Sequence, residues 1–147
     1  DAVAGPLLEL LNESDMVFDV VQGDGVVLPG ESMEFMIEAK IPFNRLSIVT
    51  MLVNTNDAFT GIDAIPLNPR RQQEIYLKAL DAGTEENTEM TEHIPGPCCG
   101  NPMVRVPTEE RILFHPGILG TGDLDPEIYD WDEPSAKITI TPVKAIF

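Results

Sequence analysis

The sequence predicts an all-β protein: an antiparallel β-sandwich preceded by one short N-terminal helix. Three observations carry that prediction. Many short stretches have the apolar patterning of strands, Pro and Gly punctuate the chain between them, and a long Pro-, Gly- and acid-rich loop fills Glu85 to Pro107. A chain of 147 residues with 43% hydrophobic content fits one domain over 1–147 with a real core.

Ala4 to Asn12 carries Leu7, Leu8, Leu10 and Leu11 with Pro6 near the first turn, the pattern of a short amphipathic helix. Val17 to Val21 is a short apolar run, and Pro29-Gly30 marks a turn. From Ser32 to Lys40 the residues alternate, with Met33, Phe35, Ile37 and Ala39 on one face and Glu34, Glu38 and Lys40 on the other. That spacing predicts a half-buried strand. Leu46 to Val53 is apolar on both parities and predicts a central strand covered on both sides.

Glu74 to Leu80 reads as a strand running straight into Asp81 and lying beside the central one. Arg111 to His115 reads as a short strand, Gly117 to Pro126 as a second Gly-rich loop, and Lys137 to Val143 as the closing strand.

Composition narrows the function classes. Twenty-five acids against nine bases give a formal charge of −16, so a nucleic-acid partner is not expected, because phosphate binding needs a basic surface. An anionic membrane would repel this surface unless Ca²⁺ bridged the two. No apolar run is long enough to span a bilayer. The chain begins at Asp1 rather than Met, so a processed product or a fragment is expected. With the acidity, this favours an exported, extracellular or periplasmic location. Asn12-Glu13-Ser14 matches a glycosylation sequon, a pattern close to chance for one occurrence. Adjacent Cys98 and Cys99 lack the spacing of a zinc site or a thioredoxin-like motif. They could join each other, pair with other chains or stay reduced.

Two loops carry the chemistry. Asn54-Thr55-Asn56-Asp57 and Asp81-Ala82-Gly83-Thr84-Glu85 each end a predicted strand in oxygen-bearing side chains. At one end of a sandwich, Asp57, Asp81 and Glu85 would converge on a point. A hard cation such as Ca²⁺ suits that set, because it takes six to eight oxygen ligands in flexible geometry. The alternative is that these acids cap turns, as Asp and Asn commonly do. Asp123, Asp125, Glu127, Asp130 and Asp132 form a second acidic stretch, but it lacks the Gly and terminal Glu of an EF-hand, so a solvated loop is the simpler reading. His93 and His115, with the cysteines, could hold copper or zinc if the long loop folded back, although nothing in their spacing requires it. Nucleophile elbows, H-E-x-x-H and phosphate-cradling loops are absent, so no enzyme is expected.

At these residues the chain resembles the spondin N-terminal domain family, most closely its prokaryotic branch. The resemblance lies in the strand and loop Leu46-Ser47-Ile48-Val49-Thr50-Met51-Leu52-Val53-Asn54-Thr55-Asn56-Asp57-Ala58-Phe59-Thr60-Gly61 and in Asp81-Ala82-Gly83-Thr84-Glu85-Glu86-Asn87. It extends to His93-Ile94-Pro95-Gly96-Pro97, His115-Pro116-Gly117-Ile118, Gly122-Asp123-Leu124-Asp125 and Tyr129-Asp130-Trp131, and so covers roughly Pro29 to Val143. The resemblance implies a sandwich similar to calcium-dependent phospholipid-binding domains, with one Ca²⁺ held by Asp57, Asp81 and Glu85. It also implies a role in adhesion or matrix assembly rather than catalysis.

Two departures stand out. Glu85 takes the place of an Asp in animal members, an extra methylene that Ca²⁺ tolerates. Family domains also carry one or more strands before the segment corresponding to Pro6-Leu7-Leu8. A sandwich without its first strand exposes an edge, so that strand is expected from a processed N-terminal piece or from another chain by β-augmentation. The function expected is a secreted, non-enzymatic Ca²⁺-binding module for adhesion or extracellular assembly, with a protein partner or self-assembly. The rivals are a structural subunit of an extracellular polymer or complex, and a copper- or zinc-handling protein using His93 and His115.

Overall fold

Strands dominate, and few helices accompany them, in a computed structural model that describes residues 4–100, 102 and 104–143. The expectation attached to Asp1 lies outside the described residues. The chain divides at Arg45/Leu46 into two compact units, within the span expected to be one domain.

In the first unit, helix α1 (Gly5–Asn12) forms as the Leu spacing predicts. Pro6 sits in its first turn, where a missing N–H costs nothing. No residue of α1 is buried. Among the described residues, 13–44 contain no strand. The strand expected at 32–40 is therefore not formed: alternation prepares one face of a strand, but a strand exists only where a neighbour takes its backbone hydrogen bonds.

In the second unit a four-stranded sheet has the order β1 (Arg45–Met51), β2 (Ala58–Pro66), β4 (Leu80–Asp81), β5 (Leu113–Phe114). β3 (Gln73–Leu77) and β6 (Ala136–Ile140) form a two-stranded sheet. Pairing is antiparallel for β2 with β4 (Ala58 opposite Asp81), β4 with β5 (Leu80 opposite Phe114) and β3 with β6 (Ile75 opposite Ile138).

Two expected strands differ from the observed ones, and one observed strand was not expected. The stretch read as a covered central strand is β1, an edge strand with Val49 59% exposed, because among the described residues its one strand neighbour is β2. β2 is not predicted from pattern, and it begins directly after the Asp57 loop. Yet it is the strand that lies between β1 and β4, and Gly61 lets it approach so closely that a Cβ there would stand 2.1 Å from the Ile48 carbonyl oxygen. Glu74 to Leu80 is not one strand: it breaks at Lys78-Ala79 into β3 and β4, which belong to different sheets. The Lys78 carbonyl accepts from the fully buried Thr60 hydroxyl (2.8 Å), and the Ala79 N–H donates to the Glu133 carboxylate (3.2 Å).

The main apolar cluster lies under the loops rather than between sheets. Ile94, Ile118 and Leu124 are buried together, with Cys98, Cys99, Tyr129 and Trp131 packed against them. A helix that periodicity did not predict, α2 (Pro126–Tyr129), adds to this region; Asp125 caps it by accepting the Glu127 N–H at 2.9 Å. Asp130 accepts from the Ile118 N–H, and Asp123 from the Thr91 N–H. Much of the second acidic stretch thus serves as turn and helix caps.

Candidate functional site

The β1–β2 connection and the turn after β4 lie side by side because Ala58 pairs with Asp81. Thr55 shapes the first: its hydroxyl donates to the Leu52 carbonyl (2.5 Å) and accepts from the Ala58 N–H (3.1 Å). That turn delivers Asp57, 8% exposed, against the second loop. Its Oδ2 accepts three hydrogen bonds, from the Thr84 N–H (2.7 Å), the Thr84 hydroxyl (2.7 Å) and the Glu85 N–H (2.9 Å). Gly83, at φ +70°, turns the chain there; a Cβ would stand 2.8 Å from the Glu110 backbone, so the position needs glycine on both counts.

The predicted ligands are gathered at one loop pair, but their carboxylates do not converge on one point. Asp81 Oδ1 accepts the Gly83 N–H (2.7 Å), and its Oδ2 accepts from the Asn87 side chain. Glu85 pairs with Arg105 at 3.0 Å. Each acid has a local partner that a spacing argument does not foresee. Among the described residues, no three His, Cys, Asp or Glu side chains are gathered closely enough to hold a metal by themselves.

Two observations nonetheless suit a hard cation. Asp57 Oδ1 is buried with no hydrogen-bond partner, an unusual state for a buried polar oxygen. A cleft of about 90 Å³ is lined by Asp81, Glu85, Glu86 and Glu110, with Gly83, Asn87 and Thr108; Asp57 does not line it, but its Oδ2 accepts from the backbone of Glu85, which does. Oxygen donors of this kind are the ones Ca²⁺ takes.

Sequence reasoning missed the group behind Asp81. The Gly117 N–H donates to His115 Nδ1 (3.1 Å), so the ring proton sits on Nε2 and points to Asn87 Oδ1 (3.2 Å); Asn87 in turn donates to Asp81. The imidazole is buried and lies against Trp131, centroids 5.4 Å apart. Burial pushes its pKa below 6.5, outweighing the acids Asp81, Asp57, Glu89 and Asp130, which favour the charged form. Only the Asp-Ala-Gly-Thr stretch running on to Asn87 hinted at this chain.

The sign of the pH effect follows. The unfolded histidine binds a proton at higher pH than the folded one, so stability is full above about pH 6.5 and falls as pH drops through the folded value. A urea-midpoint series from pH 7.5 to 5 is expected to show that decline, and His115→Gln to flatten it over this window.

Both His115 ring nitrogens are engaged in hydrogen bonds. His93 Nδ1 lies 2.9 Å from the Thr88 hydroxyl, and Cys98 and Cys99 are bonded to each other. Their turn is tied to the candidate site: the Cys98 N–H donates to Asn54 Oδ1 (3.2 Å), and Gly96 packs against the Val53 and Asn54 backbone.

Compared with protein-family models, curated proteins and solved structures, the chain matches none.

Proposed function

We propose that this chain is a secreted, non-enzymatic Ca²⁺-binding module of spondin-like β-sandwich type, acting in adhesion or extracellular assembly. The observation that carries the metal is the buried, unpartnered Asp57 Oδ1; the other oxygen of Asp57 accepts from the Glu85 N–H, and Glu85 lines an acidic cleft. Asp57, Asp81 and Glu85 would hold the ion, Glu85 in exchange for its pairing with Arg105. Bound Ca²⁺ would supply charge neutralisation and pin the two loops. The family reading rests on the Asp57 and Asp81–Asn87 motifs, and the oxidised Cys98–Cys99 pair suits an exported protein. Among the described residues, no helix is long and apolar enough to cross a membrane.

The test is calorimetry and melting of chelator-treated protein with added CaCl₂. Saturable binding should raise stability by about 2.7 kcal/mol at a hundredfold excess over Kd, or roughly 5–11 °C for a chain of this size. Asp57→Asn should abolish the shift. No binding heat together with an unchanged melting temperature would rule out the metal.

The polymer-subunit reading is favoured by a separate observation: among the described residues β1 stands at the end of its sheet, and its residues 46–51 carry no charge.

A further inference from the structure

Residues 46–51 of β1, Leu-Ser-Ile-Val-Thr-Met, contain no charge, no Pro and no Gly. β1 stands at the end of its sheet, with Val49 59% and Met51 38% exposed. Natural edge strands carry charges, prolines or bulges because a bare apolar edge templates pairing with another chain. β5, at the other end of the sheet, is only two residues long. β1 is seven, long enough to accept a partner strand.

The same chain carries an unused strand. Residues 32–40 place Met33, Phe35, Ile37 and Ala39 on one parity, with Met36 the one apolar residue on the other, and contain no Pro or Gly. Residues 33–37 make no backbone hydrogen bond to any described residue, and Phe35 and Met36 are 52% and 69% exposed. The segment is held by side-chain contacts to the stretch before it. The Glu38 N–H donates to Asp19 (2.7 Å), Lys40 Nζ lies 3.7 Å from the Phe18 ring centroid, and Phe18 stacks on Phe43 at 5.8 Å. At its end, the Lys40 N–H donates to the Phe43 carbonyl across a turn.

We infer that residues 32–40 of one molecule add as a strand to the β1 edge of a second copy, linking copies of this chain in a row. Donor and acceptor are different surfaces of one chain, so the contact is heterologous, giving an open filament, or a ring where the rotation between copies closes. The lengths agree: nine extended residues span about 30 Å, enough to cover β1. The donor has little to lose by moving, because no described residue from 4 to 44 is buried. Main-chain pairing supplies the affinity, while Met33, Phe35, Ile37 and Ala39 supply an apolar face. At −16 per chain any self-association meets repulsion, but the pairing segments add none to it, because Glu34 and Glu38 are offset by Lys40 and Arg45. The inference rests on the assembly half of the proposed function, not on the metal.

The test combines sizing with mixed-copy crosslinking of the full chain. Light scattering across a concentration series at moderate salt should show growth beyond the monomer. Separately made Ile37→Cys and Val49→Cys chains, mixed under mild oxidation, should give a covalent heterodimer well above either chain alone. Wild-type protein with excess peptide of sequence 32–40 should shift towards monomer. A monomer at all concentrations overturns the inference, and so does a double variant that crosslinks only within one chain. Substitution at these exposed or half-exposed sites leaves folding to be checked by circular dichroism, and the peptide arm needs no substitution. Calorimetry with CaCl₂ on the same samples separates the proposals: a Ca²⁺-binding monomer overturns the arm alone, and an assembly that ignores Ca²⁺ overturns the metal alone.

Discussion

Asp57→Ala is expected to destabilise the protein by about 3 kcal/mol, and Asp57→Asn by about 1 kcal/mol or less. The alanine removes the acceptor of three hydrogen bonds that tie the β1–β2 connection to the turn after β4. Thr84 is exposed, so water can take over part of its bonding; the half-buried Glu85 N–H has less recourse. Asparagine keeps an oxygen where Oδ2 stands and can accept the same bonds, and it replaces the unpartnered Oδ1. Stability and Ca²⁺ affinity therefore part company in the two variants. Urea unfolding should rank them wild type, Asn, Ala, while both should lose the Ca²⁺-induced shift. Equal stabilities for Asn and Ala would mean that the Oδ2 clamp is not what holds the loops.

Glu89→Gln is expected to cost about 2–4 kcal/mol, lowering the melting temperature by roughly 4–16 °C, although it is nearly isosteric. Glu89 is 4% exposed, and its two oxygens accept the Leu119 and Thr121 N–H groups, each at 2.6 Å. Its carbonyl also accepts the Asp123 N–H (2.8 Å). A glutamine has one acceptor oxygen; its amide nitrogen would face a backbone N–H, donor against donor. The residue also holds a left-handed backbone, φ +54°, a conformation side chains rarely adopt. Burial alone would push the Glu89 carboxyl up, but amide donation from Leu119, Thr121 and Gly122 outweighs it and holds the pKa below 4.5. Its stabilisation is therefore present above about pH 4.5 and lost as pH falls through the folded value. Wild type should lose stability steeply on that limb, and Glu89→Gln should lose less. Parallel acid limbs would show that the carboxylate charge is not what clamps residues 117–123.

Both effects depend on residues whose importance was unevenly visible beforehand. Asp57 could be picked out because it follows an apolar run and sits in an Asn-Thr-Asn-Asp turn. Glu89 could not: it is one acid in an acid-rich loop, and nothing local says that a glycine loop some thirty residues later will wrap its carboxylate. His115 behaved similarly, since its role comes from Asn87 and Gly117 together.

Local chemistry alone determined the strand-rich class, the helix at Gly5–Asn12, the turn at Gly83 and the two loops bearing Asp57, Asp81 and Glu85. These follow from side-chain period, proline geometry and the glycine requirement at positive φ, all set within a few residues. Only the tertiary structure decided that β1 is an edge, that residues 32–40 stay unpaired, and that the main apolar cluster sits beneath the loops. It also decided that each predicted ligand already has a partner. A strand's place in a sheet and a carboxylate's partner depend on backbone groups far away in sequence, and hydrophobic pattern carries no record of which distant N–H will arrive.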